Sequence, residues 1–238
     1  MQQAAVIVGA TGGIGSALVD AVMASGKFTA VHAISRQAYA AGAGVTAHRA
    51  DVTDEPSIER VAGVVGTGAP VGLIIVASGL LHAADIAPEK SLRAIDPASL
   101  AKLFAVNAVG PAIVAKHLVP LMPKTGRSVF AAISARVGSI EDNRLGGWYG
   151  YRASKAALNQ LVRTLAVELR RIRPDAIAIA LHPGTVITGL SEPFRSDVSK
   201  PGTFRPVDAA ANLAGVIERA TPEQSGQFLA WDGSRIPF

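Results

Sequence analysis

The chain of 238 residues contains no cysteine. Disulfides, thiolate catalysis and cysteine-based metal sites are excluded together. Aromatic residues are few, at 5%. Charged residues make up 17% against 49% hydrophobic, which excludes a disordered polyelectrolyte and fits a globular chain. Five histidines (His32, His48, His82, His117, His182) show no ligand-type spacing, so structural roles are expected and no metal. No module signature for nucleic acid is present. The net charge of +5 is scattered, and its densest cluster, Arg170, Arg171 and Arg173, falls at a helix end where cations complement the dipole. No nucleic-acid partner is expected, while a basic surface suits an anionic cofactor. The first apolar run leads straight into a glycine loop, unlike a signal peptide. The run at 71–77 falls far short of the ~20 residues that span a bilayer. The expectation is a soluble, cytoplasmic protein without a membrane partner.

What is present is alternation. Strand-type runs are read at 4–8, 28–34, 45–50, 71–76, 128–134, 176–181 and 227–231. Helix-type runs separate them at 14–25, 53–65, 96–122, 151–171 and 207–220, with Gly110-Pro111 expected to kink the third. Thr53-Asp54-Glu55-Pro56 and Asp96-Pro97 read as capped helix starts. The near-continuous apolar run at 71–76 fits a parallel strand buried on both faces. The expected fold is one α/β domain over 1–238, a doubly wound parallel sheet of about seven strands. Residues 184–204, rich in Gly, Pro and Ser, read as a loop or lid.

The segment Gly9-Ala10-Thr11-Gly12-Gly13-Ile14-Gly15 lies between the first strand and the first helix. Glycines there permit a tight turn, close approach of backbone to a pyrophosphate, and helix packing on the strand. The helix N-terminus offers free N–H groups to phosphate, and Thr11 adds a hydroxyl. Where dinucleotide sites often carry a carboxylate for the ribose 2′-hydroxyl, this chain has Ser35 and Arg36. Arg36 can pair a 2′-phosphate bidentately, which favours NADP(H) over NAD(H). Asp51 and Val52 follow the third strand, placed to meet the adenine.

Tyr151 and Lys155, at i and i+4, share one helix face. A phenol with an ordinary pKa near ~10 needs a nearby cation to act near neutrality, and Lys155 together with a positively charged nicotinamide ring could supply the lowering. Ser134 ends a strand, at the sheet edge where ligand-contacting groups lie. Asn107, mid-helix, must have a partner if buried, a water or a backbone group.

In order along the chain, these motifs resemble those of the single-domain short-chain dehydrogenase/reductases: the glycine loop, Asp51-Val52, Asn107-x-x-Gly110, Ser134, Tyr151-x-x-x-Lys155 and Pro183-Gly184-x-Val186-x-Thr188. Residues 134–140 and 146–159 resemble more narrowly the C-factor-like and sniffer-type carbonyl reductase branch. The resemblance implies a Rossmann fold and an NADPH-dependent oxidoreductase that reduces a small aldehyde or ketone. Tyr151 would be the proton donor. Lys155 would bind the nicotinamide ribose, Ser134 orient the carbonyl, and Asn107 hold a water linked to Lys155. Pro183, Gly184, Val186 and Thr188 would grip the carboxamide end. Residues 189–204 would form a substrate lid, with Phe194 and Phe204 as walls. It also implies a homodimer or homotetramer built on the helices at 96–122 and 151–171.

Three departures stand out. Val8 replaces the usual Thr. Val76-Ala77-Ser78-Gly79 stands for Asn-Asn-Ala-Gly, so Ala77, Ser78 and Gly79 take the cofactor position with fewer amide bonds. Ser134 precedes Tyr151 by 17 positions, longer than usual, which leaves Ser139 as an alternative serine. The C-factor resemblance keeps a second reading open, a cofactor-binding signalling or regulatory protein. Extended-branch epimerases also use a Tyr/Lys pair, but the 50 residues after Thr188 leave little room for their extra domain.

Overall fold

A computed structural model describes residues 2–194 and 202–238. Seven strands form one parallel sheet: β1 (Ala4–Val8), β2 (Ala30–Ser35), β3 (Val45–Arg49), β4 (Val71–Val76), β5 (Ser128–Ile133), β6 (Ala176–His182) and β9 (Phe228–Ala230). Their order is β3-β2-β1-β4-β5-β6-β9, so the chain winds outward in both directions from β1 and β4. That reversal opens a crevice at the carboxyl ends of the strands, where doubly wound sheets bind ligands. The Rossmann-type α/β fold read from the sequence is the fold observed. β1, β4 and β5 are buried along their whole length, which is why their sequences run apolar without alternation.

Helices α1 (Gly13–Ala24) and α6 (Pro206–Arg219) pack together on one face. Their Leu18, Val22, Leu213 and Val216 meet Ile7, Ile75 and Ile179 of the sheet. On the other face lie α2 (Glu55–Val65), α4 (Gly110–Leu118) and α5 (Tyr149–Ile172), over Val6, Ile74, Phe130 and Ala178.

The helix expected over 96–122 is broken by a different device from the one anticipated. Asp96 caps α3 (Pro97–Phe104), its carboxylate accepting from Ser99 N–H at 2.7 Å. A π-helical turn, Ala105–Val109, then widens the backbone before α4, and the Gly110 N–H reaches back to the Ala105 carbonyl. Pro111 lacks the N–H that would bond the Asn107 carbonyl four residues back, and the wider turn absorbs that gap. Together Pro97–Leu121 forms a 25-residue helical run with mean hydropathy 1.6, long and apolar enough to cross a membrane by length and composition. Here Leu103, Val114 and Leu118 are buried in the fold. At α2, Asp54 is the N-cap residue but its side chain does not cap, and its backbone carbonyl accepts from Ser57 N–H instead.

The segment read as an unbroken loop after Gly184 carries a short parallel pair, β7 (Thr185–Val186) and β8 (Thr203–Phe204). Residues 195–201 of the expected lid lie outside the described residues. The C-terminal segment packs inward: the Trp231 and Phe204 rings meet edge to face at 4.8 Å, and the Phe238 carbonyl accepts from Glu141 N–H.

Candidate active site

A cavity of about 760 Å³ opens along the carboxyl edge of β1, β4, β5 and β6. A smaller cleft continues it past β2 and β3. Together they gather nearly every residue singled out in the sequence. Thr11, Gly12, Gly13, Ile14, Gly15, Ala77, Ser78, Gly79, Ser134, Tyr151, Lys155, Pro183, Gly184, Val186 and Thr188 line the cavity. Gly9, Ser35, Arg36, Asp51 and Val52 line the cleft.

The floor of the cavity is backbone. Gly9 has φ +88°, and a Cβ on it would stand 2.7 Å from the Ser78 nitrogen. A Cβ on Gly15 would stand 2.0 Å from the Gly9 oxygen. The first turn of α1 has no capping side chain and no acidic residue. Its N–H groups and positive dipole end therefore face the crevice. Beside them the Ser78 hydroxyl is buried with no hydrogen-bond partner among the described residues. A cradle with no room for side chains, unused amides and an orphaned hydroxyl fit the pyrophosphate and ribose of a nicotinamide dinucleotide. The changed β4 end costs less than its composition suggests, since Ala77 N–H still bonds the Val8 carbonyl at 2.8 Å.

At the adenine end, Arg36 is exposed beside the buried Ser35. Sequence reasoning passed over Arg49, whose Nε donates to the Arg36 carbonyl at 3.2 Å, placing a second guanidinium there. The signal was its place at the end of β3, in register with Ser35. Asp51 Oδ1 accepts from the Thr53 N–H and hydroxyl, which fixes the loop.

The polar cluster at the other end is buried. Asn107 is wholly enclosed on the π turn. Its Oδ1 accepts from Leu80 N–H at 2.8 Å, and its Nδ2 donates to the Leu80 carbonyl at 2.7 Å and to Ser154 Oγ at 3.0 Å. The partner expected for this amide is thus a backbone peptide, and Asn107 ties the β4 loop to α5. Lys155 Nζ donates to the Ile133 carbonyl at 2.9 Å. Ser134, which lines the cavity, donates its hydroxyl to Asn159 Oδ1 at 2.7 Å. Ser139 serves the loop, accepting from Asp142 N–H.

Of the two cations expected to act on Tyr151, the chain itself supplies Lys155. Lys155 Nζ lies 5.9 Å from the Tyr151 ring centroid. Burial dominates instead: it holds the Tyr151 phenol above its ordinary value and brings Lys155 down to about 8. The ammonium is directed at a carbonyl of β5, so the chain alone does not stabilise a phenolate.

The cavity wall is aromatic. Trp148 meets Tyr151 edge to face at 6.2 Å and Phe194 at 5.1 Å, and His82 meets Phe194 at 5.5 Å. Phe194 thus stands where a wall residue was expected. Phe204 is turned away, against Trp231 and beneath Gly184. Trp148, Arg136 and His182 also line the cavity and were not anticipated as site residues. Among the described residues no three His, Asp or Glu side chains converge as a metal site would require.

Comparison with known proteins follows the same lines. A family model described as short chain dehydrogenase matches residues 3–199. The C-signal of Myxococcus xanthus is 34% identical over 145 residues, covering 60% of this chain and 81% of that protein. A 1-hydroxy-2-glutathionyl-2-methyl-3-butene dehydrogenase of Rhodococcus sp. (strain AD45) is 29% identical over 234 residues, 98% of each chain. Among solved structures, NADPH-bound carbonyl reductase from chicken fatty liver superposes with a TM-score of 0.86 at 23% identity, covering 100% of this chain and 94% of that one. Carbonyl reductase Sniffer of D. melanogaster gives 0.85 at 22%, covering all of both chains.

Proposed function

The chain belongs to the short-chain dehydrogenase family of oxidoreductases, whose fold binds a nicotinamide cofactor, and from that premise we propose that it is an NADPH-dependent reductase of small aldehydes or ketones with Tyr151 as proton donor. The observation that carries this reading is one cavity shared by the glycine cradle and by Ser134, Tyr151 and Lys155. When bound, the reduced nicotinamide supplies a hydride to the carbonyl carbon. The protein's own part is position and proton. The Ser134 hydroxyl, which donates to Asn159 Oδ1 in the chain alone, would turn to donate to the carbonyl oxygen and so orient it. Tyr151 Oη delivers the proton to it. The Tyr151 phenol is protonated at neutral pH and so can donate; burial raises its pKa, and Lys155 with the nicotinamide's positive charge would bring it back toward the range where transfer is efficient. Lys155, held by the Ile133 carbonyl, positions the ribose and supplies positive charge at pH values below about 8. Arg36 and Arg49 favour the phosphorylated dinucleotide. The NADPH-bound chicken carbonyl reductase lends support from the fold. A cytoplasmic location goes with a reductase drawing on a reduced nicotinamide pool.

The test is NADPH consumption across a panel of aldehydes, ketones and quinones. Tyr151→Phe is expected to lower kcat by about 10³-fold, the middle of the range for general acid catalysis. The likeness to the C-signal supports a second reading, a cofactor-binding signalling protein. Tight NADPH binding with no turnover on any member of the panel would favour it over the first.

A homodimer is part of the same proposal. An apolar groove of about 470 Å³ runs between α4 and α5 past Pro111, Ala115, Val119, Leu161, Leu165 and Ile172. Leu161 and Ile172 are 39% and 51% exposed, a continuous apolar face suited to its own copy. Light scattering should give at least twice the chain mass, and Leu161→Glu should reduce it; a monomeric parent at micromolar concentration would end the idea.

A further inference from the structure

Among the described residues only two charged side chains are fully buried, and both serve the first two turns of α5. One is Lys155. The other, Glu89, comes from the loop after β4 and is 4% exposed. Both its carboxylate oxygens accept from Gly150 N–H at 3.2 Å, and its backbone carbonyl accepts from Trp148 N–H at 2.5 Å. The reason lies in the sequence. The N-cap of α5 is Trp148, which has no acceptor to offer its own helix. Glu89 supplies the missing acceptors from 61 positions away. A buried carboxylate is costly unless hydrogen-bonded, and the amide and the positive helix end offset that cost.

The corner before α5 is unusual. Gly146, Gly147 and Trp148 all have positive φ, at 65°, 64° and 53°. Tryptophan rarely adopts this conformation, so something must hold it there. Arg152 holds one side, donating to the carbonyls of Gly147, Gly146 and Val137. Glu89 holds the other. There is no slack for a substitute geometry: a Cβ on Gly150 would stand 2.8 Å from Glu89 Oε1 and 2.7 Å from Leu103 Cδ1.

We propose that Glu89 is a positioning residue: with Arg152 it clamps the left-handed corner at 146–148, and so fixes the Trp148 ring against Tyr151 in the cavity. The clamp acts on substrate wall and proton donor together, because Trp148 and Tyr151 lie on either side of Gly150 N–H. Its catalytic consequence rests on the reductase reading; its effect on Trp148 does not.

Two variants of nearly equal volume separate the acceptor from mere packing. Glu89→Gln keeps an oxygen for Gly150 N–H; Glu89→Met fills the same space without one. For Glu89→Met, kcat should fall about 10- to 100-fold with a raised substrate KM, as expected when reacting groups shift by an ångström. Glu89→Gln should stay within about threefold of the parent, since its acceptor is restored. Equal kcat for the two would overturn the proposal. A Met variant that fails to fold beside a native-like Gln variant would also overturn it, placing the contact in folding. Trp148 and Trp231 are the only two tryptophans. In a Trp231→Phe background, acrylamide quenching of the cofactor-free protein reports on Trp148 alone. Glu89→Met should make Trp148 more accessible; unchanged quenching would sink the clamp. If the parent turns nothing over, the reductase reading fails while this fluorescence result still decides the proposal.

Discussion

At the β1–α1 turn, three glycines leave no room for a side chain, whereas around the first turns of α5 nearly every contact is a side chain reaching across the fold. The cradle is a property of the backbone, and its demands are steric: Gly9 against the Ser78 nitrogen, Gly15 against the Gly9 oxygen. The polar cluster is a property of partners: Asn107 with Leu80, Ser134 with Asn159, Lys155 with Ile133, Glu89 with Gly150. A local sequence pattern suffices to specify the first. The second needs residues from four segments to arrive together.

The sharpest way to break this comparison is a single methyl group. Gly15→Ala would put a Cβ 2.0 Å from the Gly9 oxygen, a backbone atom that cannot rotate away. NADPH affinity should fall at least about 100-fold, roughly 3 kcal/mol, as measured by titration calorimetry. The control is Gly63→Ala, on the exposed side of α2 with nothing within 4 Å. There the same methyl should stabilise by about 0.5–1 kcal/mol, because alanine is the better helix former. Similar effects at both glycines would remove the distinction between cradle and ordinary backbone.

The difference also explains what was legible in the sequence. Gly9 to Gly15, the strand alternation and the Tyr151–Lys155 pair are short-range patterns, and each appeared where the pattern put it. The π turn at Asn107 was hidden because a proline predicts a fault in a helix without saying how the backbone absorbs it. Glu89 sits in an irregular loop with nothing nearby to mark it, and its meaning depends on a helix end 61 positions away. The balance of burial against charge at Tyr151 was not legible, because i, i+4 spacing fixes only a shared face. At Asp54 the sequence signature of a cap was present and the side chain did not use it.

The side-chain half should also carry the pH dependence. His182 ends β6 and lines the cavity, its Nδ1 accepting from Arg136 N–H at 3.4 Å. Burial first, and Arg136 second, lower its pKa to about 4. Against about 6.5 in the unfolded chain, a lowered histidine pKa means that protonation favours unfolding. Its stabilisation is complete above about 6.5 and is lost as the pH falls from there toward about 4. Between pH 7 and pH 5 this amounts to about 2 kcal/mol. His182→Asn keeps an acceptor for Arg136 and does not titrate. Urea unfolding at the two pH values should show a loss smaller by about that amount, with His32 and His48, also lowered by burial, keeping their share. Parallel losses in parent and variant would show that His182 is solvated like any surface histidine.

The smallest expected effect lies at the boundary, where a side chain is added to the backbone-built cradle. Arg36 is exposed, no carboxylate stands at the end of β2, and Arg49 lies alongside through its bond to the Arg36 carbonyl. An exposed guanidinium gains only modestly from a phosphate in water, so Arg36→Ala should raise the KM for NADPH about tenfold, near 1.4 kcal/mol. KM for NADH should not move, because the amides that hold the pyrophosphate are untouched. Arg49→Ala should act in the same direction and more weakly, since its neighbour still supplies a charge. A preference for NADPH that rests on these arginines should shrink as salt is added, while binding of NADH stays comparatively constant. If Arg36→Ala weakened both nucleotides equally, Arg36 would be part of the cradle's shape and the choice of cofactor would lie elsewhere. A change confined to NADPH would mean that the cradle binds by shape alone and that two surface arginines choose the cofactor.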